Sequence, residues 1–247
     1  MAKTTFTLQF FYTFLVSVIS LHSVLAYAEP LTNFNATFSV HAFGVTLGQS
    51  NQSLRCNAQQ CTLISDTRPT GWARAFVSEY SVETIKLTQT NNTLTWLQYQ
   101  KMGVFTEDGI EQKKWVTLQR DAQNGRILYT EKNRTWPEQT ALYDIISLVY
   151  AMQHAKLNQQ PLTQFYVQDT NFQDKIVFKT LDQASFIDLD FSKSPVNSLH
   201  YAFETQGAKI DVWLLPTLRY FPGKIRVENK KENHTITLNL LQNPTFL

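Results

Sequence analysis

The sequence has few of the residues on which catalytic and metal sites are usually built. Its 247 residues include 2 cysteines and 5 histidines, and no histidine is spaced with another ligand in a known metal-binding pattern. There is also no phosphate-cradling glycine loop, no Gly-x-Ser-x-Gly elbow and no HExxH helix. We therefore expect neither a metal nor a cofactor, and a protein that is not an enzyme.

The chain also lacks a charge of one sign. It has 22 lysines and arginines against 20 aspartates and glutamates, and no basic cluster stands out, so we expect no nucleic-acid partner. A hydrophobic content of 43% and an aromatic content of 13% are far from the composition of a disordered chain. The length fits one large β domain or two small domains. The absence of a linker rich in proline, glycine or serine favours one.

The first 28 residues have the pattern of a secretory signal peptide. Lys3 is followed by an apolar run at 6–25 and then by the small-x-small site Ala26-Tyr27-Ala28. We expect cleavage before Glu29, a mature domain at 29–247, and a location in the periplasm or outside the cell. An uncleaved anchor is the alternative. Neither cysteine lies near the cut, so a lipoprotein anchor is not expected, and no transmembrane segment remains after cleavage.

The two cysteines, Cys56 and Cys61, lie in Cys-Asn-Ala-Gln-Gln-Cys at the predicted tip between two strands. In an exported protein this pair predicts a disulfide that pins a hairpin. A redox pair or half of a metal site is the other interpretation, although the spacing is not Cys-x-x-Cys and the loop has no histidine.

One segment, 136–157, has apolar residues at helical spacing. Thr135 and Glu138 have the spacing of a capping box, and Pro137 suits a first helical turn. The part from 137 to 157 would be about 30 Å long. Its apolar surface is wider than one stripe, which predicts cover on more than one side. A plain core helix and a helix that lines a ligand cavity both fit this pattern.

The rest of the chain reads as short strands. One alternates at 33–42, and Asn91-Asn92 and Asn124-Gly125 mark two hairpins. The segment 72–76 could not be assigned. After the helix, seven further strands are predicted at 165–167, 176–178, 186–191, 199–203, 210–215, 225–227 and 236–240. The order predicts a mainly β single domain: a highly curved antiparallel sheet, or an incomplete β-barrel in meander order, wrapped around one central α-helix.

The block from Val212 to Ile225, Val-Trp-Leu-Leu-Pro-Thr-Leu-Arg-Tyr-Phe-Pro-Gly-Lys-Ile, resembles the bacterial domain-of-unknown-function 3108 family. The order of strands, central helix and strands over 33–241 is similar as well. Thr217 and Gly223 depart from the family pattern, which has Asp and Val there. The resemblance implies an exported β-rich protein without known catalytic residues. It also implies a fold-level analogy to outer-membrane lipoprotein carriers, and fold does not fix function.

Three functions are compatible with these features. The first is binding of a lipid, another apolar ligand or a peptide between sheet and helix, with a candidate lining of Leu142, Ile146, Val149, Trp213 and Tyr220. The second is a scaffold module that docks on an envelope complex. The third is a hydrolase of envelope polymers that uses Asp188 and Asp190, although these aspartates also fit the wet face of an amphipathic strand.

Two further sets of polar residues have structural interpretations. His154 lies near the predicted helix C-terminus, where a protonated ring would favour the helix dipole, and His200 alternates with apolar neighbours at the surface or rim. Five Asn-x-Ser/Thr sequons would carry glycans in a eukaryotic secreted protein, but we favour a bacterial chain, in which they mean little. They begin at Asn35, Asn51, Asn91, Asn133 and Asn233.

Overall fold

The computed structural model describes residues 29–90, 92–162, 164–231 and 234–247. The predicted signal peptide and the sequon residues Asn91 and Asn233 lie outside these ranges. The chain forms seventeen strands and one α-helix in these ranges: β1 Phe34–Ala42, β2 Val45–Asn57, β3 Gln60–Pro69, β4 Tyr80–Thr90, β5 Thr93–Glu107, β6 Ile110–Asp121, β7 Arg126–Tyr129, β8 Arg134–Pro137, β9 Leu142–Tyr143, α1 Ile145–Leu157, β10 Tyr166–Gln168, β11 Gln173–Lys175, β12 Phe178–Ile187, β13 Val196–Glu204, β14 Ala208–Leu215, β15 Phe221–Asn229, β16 His234–Leu240 and β17 Thr245–Phe246.

Fourteen of the strands form one antiparallel sheet. Its order runs from β12 through β16, then β1, and on through β8, while β17 pairs with β1. Among the described strands, β1 makes the pairs that join distant parts of the chain, with β16 and with β17, so the sheet is two meanders that meet at β1. The path ends at β12 and β8, which are not paired with each other in the described part of the chain. The predicted antiparallel meander is therefore confirmed.

Alternation of apolar and polar residues sets which face of each strand is buried. On β1, Phe34, Ala36 and Phe38 are buried while Asn35 is exposed. The β2–β3 hairpin is tied at its tip, where Cys56 and Cys61 are cross-strand partners joined by a disulfide. The predicted disulfide is confirmed, and it pins a hairpin as expected.

The predicted helix is wrong in its first half. The helix begins at Ile145, not near Pro137, and Asp144 is its N-cap. Residues Arg134–Pro137 instead form β8 and extend the sheet from β7. Ala141 has a φ of 55°, which a continuous right-handed helix does not allow. The predicted capping box therefore does not form, and Glu138 is bound to Arg120.

A second sheet has three strands, one before the helix along the chain and two after it. β9 precedes α1 and pairs in parallel with β10, which follows it, and β11 pairs antiparallel with β10. Parallel neighbours need a crossover connection. This crossover explains why Leu142 and Tyr143 are strand residues although their spacing is compatible with the helical stripe.

The helix lies within the curve of the large sheet. The ring of Tyr150 stacks on Phe34 of β1 at 5.0 Å and meets Phe221 of β15 edge-on at 5.9 Å. Its hydroxyl donates to Gln52 Oε1 of β2 at 2.5 Å. From Ser147 to Ala155 every residue of the helix is buried. The expected cover on more than one side is confirmed, because strands from both meanders contact the same helix. None of the helices in the described ranges has the length and apolar character needed to cross a bilayer.

Three smaller expectations change. The segment at 72–76 contains a short 3-10 helix, Gly71–Ala75. The predicted strand at 186–191 is confirmed only at its first two residues, since β12 ends at Ile187, and the one at 176–178 only at Phe178, where β12 begins. β12 is the edge of the sheet, and most of its side chains are exposed, so it lacks the apolar alternation that reveals a half-buried strand.

Candidate functional site

A cavity of about 430 Å³ lies beside the second half of the helix. It is at the end of the sheet where β4 turns into β5, β6 ends and β7 begins. Gln160, just past the helix, donates from Nε2 to the carbonyl oxygen of Asn92 at 2.7 Å. The described residues that line the cavity are Asn92–Trp96, Arg120, Ile127, Glu138–Tyr143, Ala151, His154, Ala155, Gln160, Pro161, Gln164 and Phe165.

The helix contributes one face to this cavity. Ala151, His154 and Ala155 are spaced at i, i+3 and i+4, so they share a side of the helix. Two methyl groups in place of larger side chains leave space beside the sheet. Leu94, Trp96, Ile127 and Phe165 make the opposite walls largely apolar.

Most buried polar groups around the cavity have partners. Arg120 forms an ion pair with Glu138, whose Oε1 accepts from the arginine Nε at 2.8 Å. The Tyr143 hydroxyl donates to the carbonyl oxygen of Leu94, and burial raises the pKa of this tyrosine. The indole Nε1 of Trp96 donates to Asp144 Oδ2 at 2.9 Å. These bonds fix the walls without offering a free polar group to the interior.

His154 is the exception. It is 2% exposed, and its Nε2 has no hydrogen-bond partner among the described residues. Burial lowers the pKa of this histidine, which favours the neutral ring. The lowered pKa disfavours the protonated ring that its place near the helix C-terminus would favour. Buried polar atoms without a partner are rare in folded proteins. In the described ranges Gln153 Oε1 and Asn239 Oδ1 share this state, but neither residue lines the cavity.

The structure brings one of the five predicted lining residues into this cavity. Leu142 lines it, whereas Ile146 is half-buried and Val149 lies fully in the core, and neither belongs to the lining. Tyr220 is half-buried below the end of the helix, and the Lys156 ammonium lies 5.9 Å from its ring centroid.

Trp213 lies on the outer face of the sheet. Its neighbours Val212 and Leu214 are fully buried, so the side chain between them points the other way. The ring stacks on His200 at 4.5 Å, and the Lys224 ammonium lies 5.3 Å from its centroid. His200 also hydrogen-bonds Asp211 at 2.8 Å. These contacts give Trp213, the tryptophan of the block that resembles a family motif, a structural role that needs no ligand.

The two aspartates of the hydrolase hypothesis lie after the end of β12. Asp188 and Asp190 are both exposed, while Leu189 between them is buried. Neither lines the cavity beside the helix. The described ranges also contain no group of three or more histidines, cysteines and carboxylates that could hold a metal ion.

Two other cavities are less suited to hold a ligand. One of about 550 Å³ lies at the opposite end of the sheet and is wider open, and no helix residue lines it. Another of about 180 Å³ lies near the N-terminus of the helix between Tyr99 and Phe172. The cavity at His154 differs from both, because a buried polar atom without a partner among the described residues belongs to its wall.

The fold defines the chain as a mainly β, β-barrel-like protein. A crystal structure of a β-barrel-like protein of domain of unknown function 1849 from Brucella abortus is similar to it, with a TM-score of 0.52 and 11% identity. The match covers 89% of this chain and 99% of that chain. At this identity the similarity is one of fold alone.

No protein-family model and no curated protein matches the chain. The resemblance to the domain-of-unknown-function 3108 family therefore stays a prediction. The structural similarity is to a different domain of unknown function, and the β-barrel-like form is what the comparison supports.

Sequence reasoning missed the two alanines and the role of His154. It selected large apolar helix residues, which fill the core, whereas a cavity lies where side chains are small. The available signal was the set Ala151, His154 and Ala155, a polar residue between two small ones on one helix face.

Proposed function

We propose that the protein is an exported, non-enzymatic binding protein that holds a small amphipathic molecule in the cavity beside the helix. The observation that carries the proposal is the buried His154, whose Nε2 has no partner among the described residues, in the wall of this partly open cavity with apolar and polar walls. A volume of about 430 Å³ falls within the roughly 300–1,000 Å³ of small-molecule sites. Such sites combine apolar walls with a few polar groups that orient the ligand.

Two observations support the exported location. The first 28 residues have the composition of a signal peptide, and the Cys56–Cys61 disulfide is the form expected in an oxidising compartment. We propose the periplasm as this compartment, because the fold is similar to that of a bacterial protein. We propose a role in envelope biogenesis, which this location and an amphipathic ligand would suit.

Titration with the neutral fluorescent probe N-phenyl-1-naphthylamine tests the binding proposal. The wild-type protein should enhance its fluorescence in a saturable way. Ala155→Phe places a ring in the cavity and should abolish this binding. Ala122→Phe is the matched control, since it adds the same ring in an exposed turn between β6 and β7. Equal binding by wild type and both variants would contradict the proposal.

Docking on a protein of the cell envelope is the second candidate function. Four exposed apolar residues lie at the opposite end of the sheet: Phe43 and Phe76 on turns, Trp72 in the 3-10 helix and Ile110 at the start of β6. Phe43 and Phe76 are 78% and 81% exposed. Large exposed apolar groups in proximity are typical of interaction surfaces. A Phe43→Ser, Phe76→Ser double variant should lose a cross-linked envelope partner and retain probe binding. Retention of the same cross-link would contradict this candidate.

A further inference from the structure

We infer that the ligand of the cavity beside the helix carries an uncharged hydrogen-bonding group, such as a hydroxyl or an amide, that pairs with His154. This inference rests on the proposed function and names the class of molecule: a neutral amphiphile, as opposed to a fatty acid or a cationic lipid. Three observations carry it: the charges of the lining, the bonding of the histidine and the shape of the helix face.

The charges of the lining are balanced. Among the described residues that line the cavity, the charged side chains are Arg120 and Glu138. They are bound to each other, with the arginine Nε 2.8 Å from Glu138 Oε1. A carboxylate ligand would have to displace Glu138 from the guanidinium, and an ammonium ligand would have to displace Arg120. Either exchange leaves a protein charge unpaired in a partly buried place, which is strongly unfavourable.

The histidine is suited to a neutral group. The Nε2 of His154 is enclosed and has no hydrogen-bond partner within the described ranges. A neutral imidazole has one donor and one acceptor nitrogen. A hydroxyl or an amide can bond either nitrogen, because each can both donate and accept. A protonated imidazole would bind a carboxylate, but the apolar surroundings favour the neutral ring.

The helix face gives the group a defined place. Ala151 and Ala155 flank the histidine on the same face, and both are buried. Their short side chains let an apolar chain lie along the helix while its polar end stays at the imidazole. The residue forms part of the cavity wall, and since its Nε2 is enclosed, the side chain must turn for that nitrogen to meet a ligand atom.

Three ligands with the same alkyl chain test the inference: decanol, decanoate and decylamine. Each is titrated against the protein–probe complex at pH 7, and displacement of N-phenyl-1-naphthylamine gives its affinity. We expect decanol to bind about tenfold or more tightly than the two ions, since burial of an unpaired charge is far costlier than burial of a bonded hydroxyl.

Two substitutions at the histidine locate the effect. His154→Leu removes the hydrogen bond and should weaken decanol binding about tenfold, while the apolar probe still binds. His154→Gln retains a donor and an acceptor and should keep the preference for decanol. His200→Leu is the matched control, because it makes the same change on the outer face of the sheet. It should leave the affinities for decanol and for the probe unchanged.

The outcomes separate this inference from the proposed function. Decanoate or decylamine binding as tightly as decanol would overturn the inference while leaving cavity binding intact. An unchanged decanol affinity in His154→Leu would also overturn it. Failure of the probe and all three ligands to bind the wild-type protein would instead refute the proposed function itself.

Discussion

Asp144 joins the helix to the sheet. Its Oδ1 accepts from the backbone N–H of Ile146 at 2.9 Å and of Ser147 at 3.0 Å, which is an N-cap. Its Oδ2 accepts from the Ser147 hydroxyl at 2.5 Å and from Trp96 Nε1 at 2.9 Å. One buried carboxylate therefore caps the N-terminus of the helix and also accepts a hydrogen bond from Trp96 of β5.

Asp144→Ala should strongly destabilise the fold. Loss of the cap and of the partner of a buried indole N–H together should lower the free energy of unfolding by about 2–4 kcal/mol. Asp144→Asn retains an acceptor and should cost less. Asp188→Ala is the control, an exposed carboxylate whose removal should stay within about 0.5 kcal/mol. Urea unfolding measures all three, and an equal effect of Asp144→Ala and Asp188→Ala would contradict the assigned role.

His154 gives a pH dependence with a defined sign. Its folded-state pKa is lowered by burial, whereas the unfolded chain has the ordinary value of about 6.5. As the pH falls below about 6.5 the unfolded chain gains a proton that the folded protein does not, so stability is lost until the folded pKa is passed. Above a pH of about 6.5 both states hold the neutral ring, and the contribution of His154 to the free energy of unfolding no longer changes with pH.

The measurement is urea unfolding of ligand-free wild type and His154→Gln between pH 8 and pH 5. The wild type should lose stability relative to the variant as the pH falls, because the variant has no imidazole to titrate in this place. A stability difference that is constant across the range would show that the histidine is not desolvated as the structure indicates.

At the residue scale, the sequence identifies chemical types but not their surroundings. Asp144 lies within the segment predicted to be helical, and the predicted start at Thr135 leaves out that Asp is also a common N-cap residue. His154 was placed correctly near the helix end, but its burial depends on strands far away along the chain. The disulfide was predictable, since the pair is close in sequence and the compartment was inferred independently.

At the scale of elements, Gly48 on β2 is set against β3. A Cβ at this position would collide with the backbone carbonyl oxygen of Arg68. Gly103, on β5, has ordinary space, with the carbonyl oxygen of Lys114 3.9 Å from where its Cβ would lie. The first glycine is therefore required by a close approach of backbones, and the second is not.

The pair of substitutions Gly48→Ala and Gly103→Ala tests this difference. We expect Gly48→Ala to lower the free energy of unfolding by about 1–3 kcal/mol, because the two strands must separate. Gly103→Ala should change it by about 0.5 kcal/mol or less. Denaturant unfolding of both variants is the measurement. Equal effects would mean that strand propensity, and not the contact with β3, decides the cost.

The elements that the sequence predicted best were those with a strong local signal. Alternation located β1, and Asn124-Gly125 located the β6–β7 hairpin. The first half of the predicted helix failed because β8 and β9 are too short to show alternation, and their pairing partners decide their form. Most of the edge strand β12 could not be predicted, because exposed side chains on both of its faces leave no apolar alternation.

At the scale of the whole molecule, the order of the elements carried the correct fold class. Strands, one helix and more strands left few topologies other than a meander. The pairing of β16 with β1, and the enclosure of the helix by both meanders, depend on long-range contacts that a linear pattern does not contain. The cavity depends on the same contacts, since it lies where the helix and the sheet do not fill the space between them.

Binding beside Ala151 and Ala155 is the central claim, and alanine-methyl NMR of the folded protein with decanol tests it most directly. The methyl resonances of these two residues should shift in a saturable way, and those of the exposed Ala122 and Ala184 should not. A saturable shift confined to methyl groups elsewhere, or none at all, would contradict the account.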